Sequence, residues 1–136
     1  MRLKVLYPLA GMLLLTLAVG RVAAQEGHPL VGSWHGIVGE GNAERDLTVI
    51  MDWDGTVVTG LVNPGFEHAE LQNARLVSSD WTVSFELDFE NRDGQSERCI
   101  VNGAIDRLGS DRRTVSGTWT CAGDTQRFEI MRDRDY

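Results

Sequence analysis

The sequence is short of lysine, cysteine and histidine. Its single lysine, Lys4, lies among the first ten residues, so the remainder has no amine for Schiff-base formation and no lysine general base. Arginine is left as its strong cation. Histidine occurs three times, at the scattered positions His28, His35 and His68, which argues against a three-histidine metal site. Cysteine occurs twice, at Cys99 and Cys121; two thiolates without nearby histidines make half a zinc site. Asp52-x-Asp54-Gly55 and Asn91-x-Asp93-Gly94 resemble pieces of calcium loops but lack the further ligands at set spacing. No G-x-S-x-G nucleophile elbow occurs. Neither a metal nor a cofactor is expected, and no catalytic residue is assigned.

Long hydrophobic runs are absent after Val19. Before it, Arg2 and Lys4 precede a mostly apolar stretch from Val5, and Val22-Ala23-Ala24 supplies small residues for cleavage. Residues 1–24 read as a secretory signal peptide, the apolar run falling short of the about 20 residues a spanning helix needs. No cysteine stands at the cleavage site to take a lipid. The expected product is one domain, residues 25–136, periplasmic or secreted. Three of the 13 basic residues lie in the leader and none of the 20 acidic ones does. So acidic a domain should repel nucleic acid and, once the leader is cleaved, anionic membrane surfaces.

Helical periodicity is also missing. Short alternating runs separated by Gly, Asp, Asn and Pro recur instead, the pattern of an all-β chain. Eight strands are expected, at 31–39, 45–53, 56–62, 69–77, 81–90, 96–106, 113–121 and 125–133. In the fifth, Trp81, Val83, Phe85, Leu87 and Phe89 share an apolar face against Thr82, Ser84, Glu86, Asp88 and Glu90. Asp54-Gly55 suits a two-residue hairpin turn, which would set Met51 opposite Val58. A turn at Gly123-Asp124 would set Trp119 opposite Phe128.

Cys99 and Cys121 fix the best-determined register. A hairpin about Ser110 that pairs them also pairs Val101 with Trp119, Gly103 with Gly117 and Ile105 with Val115, all on the apolar face. Directly opposed cysteines on neighbouring strands can reach disulfide geometry, and export delivers them to an oxidising compartment. An intra-hairpin disulfide is therefore expected. Eight amphipathic strands joined by short connections are best served by closure, which removes exposed edges. The expectation is an all-β, eight-stranded up-and-down antiparallel barrel, with a two-sheet sandwich as the alternative.

Two further positions carry a resemblance. Gly32-Ser33-Trp34 opens the first strand and Arg132 stands late in the last. This resembles the calycin pattern of lipocalins and avidins, and the layout is similar to small secreted bacterial barrels of unknown function. The resemblance implies that Arg132 packs over Trp34 and closes the barrel floor. It also implies an interior that takes a small ligand. Chain direction places loops 40–44, 63–68, 91–95 and 122–124 at the opposite end, the mouth.

The leading functional expectation is therefore binding of an apolar or amphipathic small molecule inside the barrel. Phe85, Phe89 and Trp119 would supply walls, and Phe66 and His68 a lid. Strand four is irregular, because either register of "AELQNARLV" turns polar groups inward. Gln72, or Asn73 with Arg75, would then orient a ligand, or would be satisfied by internal water or a salt bridge. The aromatics Trp81, Phe85, Phe89, Trp119 and Phe128 could equally fill the interior. The alternatives are a protein-binding module, such as a secreted-protease inhibitor using "QEGHPL", and a small-barrel isomerase or cyclase pairing His68 with Glu70 or Glu97.

Overall fold

The computed structural model describes residues 27–63, 65, 68–90 and 93–134. The expected leader and Phe66 lie outside the described residues. Among these residues nine strands form one antiparallel sheet: β1 (Gly32–Val38), β2 (Arg45–Trp53), β3 (Val58–Val62), β4 (Ala69–Glu70), β5 (Gln72–Val77), β6 (Thr82–Glu90), β7 (Ser96–Asp106), β8 (Thr114–Cys121) and β9 (Asp124–Arg132). Their order is β4-β3-β2-β1-β9-β8-β7-β6-β5. The first and last long strands pair, with Trp34 opposite Arg132 and Val38 opposite Phe128. The sheet curls into a nearly closed barrel, which rules out the sandwich and is compatible with a calycin-like layout.

The count is nine rather than eight because the fourth expected strand is split. Ala69 and Glu70 pair with β3, whereas Gln72 to Val77 pair with β6. The two ends of the sheet order are therefore consecutive in the chain, and they meet at Leu71, whose N–H donates to Gly60 O at 3.0 Å. A one-residue bulge follows. Gln72 stands opposite Glu86 and Arg75 opposite Ser84, with Asn73 at φ +51° between them. A one-residue slip moves side chains to the other face of a sheet. Ala69 and Leu71 point inward, Gln72 and Asn73 both point outward, and Ala74 and Leu76 return to the core. The expectation of polar groups inside is overturned: no polar or charged residue is buried among the described residues.

The interior is built from the alternating faces. Val49, Val62, Val83, Phe85, Leu87, Val101, Val115 and Ile130 are buried together. Trp81, expected inside, is 37% exposed, because its backbone at φ +56° leaves the strand one residue before β6 begins. In the β7–β8 hairpin the expected register holds at every named pair, and Cys99 is bonded to Cys121. Their Cα atoms are 4.3 Å apart, the close spacing of a non-hydrogen-bonded antiparallel pair. Two other turns differ from expectation. Trp53 pairs with Val58 across a four-residue turn in which Asp54 Oδ1 accepts from the N–H groups of Thr56 and Val57. Trp119 pairs with Gln126, the two-residue turn being Ala122-Gly123, both at positive φ. Each register moves by two residues, so the inward faces are unchanged.

The floor is sealed by the segment before β1. Leu30 is buried, and Trp34 Nε1 donates to its carbonyl at 2.8 Å. Arg132 Nε donates to Val31 O at 2.7 Å. Gly32 is required beneath it, since a Cβ there would come within 2.7 Å of Arg132 Nε. Arg113 joins by donating to Pro29 O and Leu108 O. No helix among the described residues is long and apolar enough to cross a membrane.

Candidate functional site at the barrel mouth

The lower barrel is filled, and Trp119 marks where the filling stops. Its ring meets Phe85 and Phe128 edge-on, with centroids 6.1 Å and 6.0 Å away, and stacks with Phe89 at 6.4 Å. Phe128 lies over Gly103, so the gap opened by the facing glycines Gly103 and Gly117 is occupied by a ring. Above Trp119 the barrel opens into a bowl of about 410 Å³. Val38, Leu47, Phe89, Trp119 and the Cys99–Cys121 bridge form its apolar walls, and Arg45, Asp46, Asn63, Glu90 and Glu97 its upper edge.

Strand register explains why these residues converge. Opposed residues of an antiparallel pair point to the same face. Arg45 is opposite Val38, and Glu97 is opposite Phe89. Both charged side chains are therefore on the inward face, at the top of strands whose lower inward positions are apolar. Asn63 fixes the adjacent corner, its Oδ1 accepting from Thr48 N–H at 3.1 Å and its own N–H donating to Thr48 O at 2.8 Å.

The residues expected from sequence to bind a ligand fall in different places. Phe89 and Trp119 line the bowl, and Phe85 lies buried directly beneath Trp119. His68 is exposed on the 63–68 loop, its Nδ1 2.8 Å from Gly65 O. Gln72, Asn73 and Arg75 are on the outer surface of β5. There Arg98 binds both carboxylate oxygens of Asp88, at 2.9 Å and 2.8 Å, and donates to Gln72 Oε1 at 2.9 Å. Asn73 Nδ2 donates to Glu86 at 2.6 Å. The Arg98 guanidinium, helped by the Gln72 amide, holds the Asp88 carboxyl below its ordinary range. This network ties the bulged strand to β6 and β7. Val38, Leu47, Arg45 and Asp46 were not anticipated as site residues. Alternation from Cys99 back to Glu97 was a readable signal for that inward carboxylate.

Other concavities among the described residues are different in kind. One, about 720 Å³, lies on the outer wall over β1, β8 and β9, between outward side chains such as Ile37, Thr118, Arg127 and Glu129. A second, about 430 Å³, lies among His35, Arg112, Arg132 and Arg134. A third, about 390 Å³, follows the split between β3 and β5. There His28 stacks on Trp53 at 4.5 Å, and burial pushes its imidazole below its ordinary pKa. The bowl differs from these in opening at the barrel's end onto an aromatic floor, Trp119 and Phe89. Among the described residues no group of three or more His, Cys, Asp or Glu side chains could hold a metal ion. Of "QEGHPL", His28 and Leu30 are held against the floor by these contacts. Comparison with family models, curated proteins and solved structures found no match to this chain.

Proposed function

We propose that this chain is an exported, calycin-like barrel that binds an apolar or amphipathic small molecule in the bowl at its mouth. The observation that carries the reading is an apolar, aromatic-floored cavity of about 410 Å³ at the end where the filled core stops. Ligand sites run roughly 300–1,000 Å³ and combine apolar walls with a few placed polar groups. Phe89 and Trp119 would supply aromatic contact, with Phe85 supporting Trp119 from below. The barrel floor, sealed by Leu30, Trp34 and Arg132, makes the mouth the route of entry. The disulfide fits an oxidising, exported setting.

Native mass spectrometry of protein purified from its exported fraction is expected to reveal a co-purified small molecule. In parallel, the neutral fluorophore N-phenyl-1-naphthylamine should bind the protein. Val38→Phe, which adds bulk to the bowl wall, should weaken that binding at least tenfold. Absence of binding to the unaltered protein, or equal binding to the variant, would overturn the proposal.

A further inference from the structure

Two opposite charges face each other across the mouth. Arg45 tops β2 and Glu97 stands near the start of β7, both on the inward face. Taking β4 and β5 as one interrupted strand, four inter-strand steps separate β2 from β7 in either direction round the barrel. The two strands are thus diametrically opposed. Among the described residues Arg45 is the one cation lining the bowl, and Asp46 and Glu90 add negative charge at its edge. Arg45 and Glu97 form no ion pair with each other or with another described residue.

Arg45 is exposed and Glu97 half-buried at the rim, so a guest seated in the bowl draws off part of the water around each, and a charge that loses water is costly unless paired. A neutral apolar guest would leave both uncompensated. A simple anion would meet Arg45 but also three carboxylates, and a simple cation would leave Arg45 unmatched. Arginine's planar fork suits a carboxylate, and Glu97 suits an ammonium group.

Building on the mouth-binding reading, we infer that the ligand is a zwitterionic amphiphile: an apolar, aromatic-sized body bearing a carboxylate that pairs with Arg45 and an ammonium that pairs with Glu97. A free aromatic amino acid is the simplest member of the class.

Calorimetric titration at low salt with four matched indoles tests this: tryptophan, tryptamine, indole-3-propionate and 3-methylindole. Tryptophan should bind most tightly, and loss of either charged group should cost about tenfold. Arg45→Gln should abolish the preference for tryptophan over tryptamine, and Glu97→Gln the preference over indole-3-propionate. Glu129→Gln, on the outer wall, should change neither. Circular dichroism confirms that each variant is folded. Equal affinities for the four compounds, or unchanged preferences in both rim variants, would overturn the zwitterion while leaving the mouth site standing. Failure of all four indoles and of the neutral naphthylamine to bind would overturn both.

Discussion

The Phe128 ring fits against the bare backbone of Gly103, where an added Cβ would lie 3.1 Å from Phe128 Cζ and 2.7 Å from Ser116 O. Its partner Gly117 is tighter, because an added Cβ would collide with Asn102 O and approach Gly103 Cα to 2.5 Å. The obstacle at Gly103 is partly a side chain that can shift, whereas at Gly117 it is backbone. Gly103→Ala should destabilise the fold by about 1–3 kcal/mol, the range for overpacking. Gly117→Ala should lie at or beyond the top of that range. Urea midpoints at equal m-value measure both.

Gly32 answers a different demand. Its φ of +134° disfavours any L side chain, and Arg132 Nε fills the space above it. Gly32→Ala should cost about 2 kcal/mol, within the range for a residue forced into a sparsely populated region. Gly27→Ala, where a Cβ would meet nothing within 4 Å, should be close to neutral. Thermal denaturation of the two variants side by side checks the contrast.

The disulfide spans a sequence separation of 22. A loop of this size gives about 3 kcal/mol in the chain-entropy model. The double variant Cys99→Ser with Cys121→Ser should lose about that much. It should also weaken naphthylamine binding, since the bridge forms part of the bowl wall. Equilibrium unfolding and probe titration of the same sample read the two effects.

Asp88 gives the outer network a pH signature. Its carboxyl is held below its unfolded value by Arg98, so the folded state binds this proton less readily than the unfolded one. The stabilisation is present above the ordinary carboxylate pKa and is lost as pH falls through the lowered folded value. Asp88→Asn should therefore flatten the acid limb of the stability curve below about pH 4 and leave its neutral-to-alkaline shape unchanged. Urea denaturation across pH 2–7 tests the sign.

Faces were more legible than turns. Cys99 and Cys121 tied β7 to β8 residue by residue, and strict alternation placed Phe85, Leu87 and Phe89 inside. Registers at two turns were misjudged by two residues, at the first because Asp54 caps two successive N–H groups instead of leading a tight turn. Ala122 also takes a left-handed conformation that its residue type does not advertise. Such slips keep a period-two pattern on its face. The bulge at Asn73 does not, and only the tolerance of asparagine for positive φ hinted at it. Hence Gln72, Asn73 and Arg75 were expected as inward ligand contacts and lie on the outer wall. Phe89 and Trp119 needed alternation alone to be placed at the bowl. Alternation from Cys99 already marked Glu97 as inward, whereas Arg45 emerged once its cross-strand partner Val38 was known.

The break at Leu71 gives the barrel a second set of ends. In bonding terms the wall is a coiled ribbon of nine strands whose two edges are neighbours in the chain, while the first and last strands, β1 and β9, lie side by side in its middle. A circular permutant beginning at Gln72 and finishing at Leu71, with the old termini joined, would run through all nine strands in their spatial order. The native order is that same meander entered halfway along.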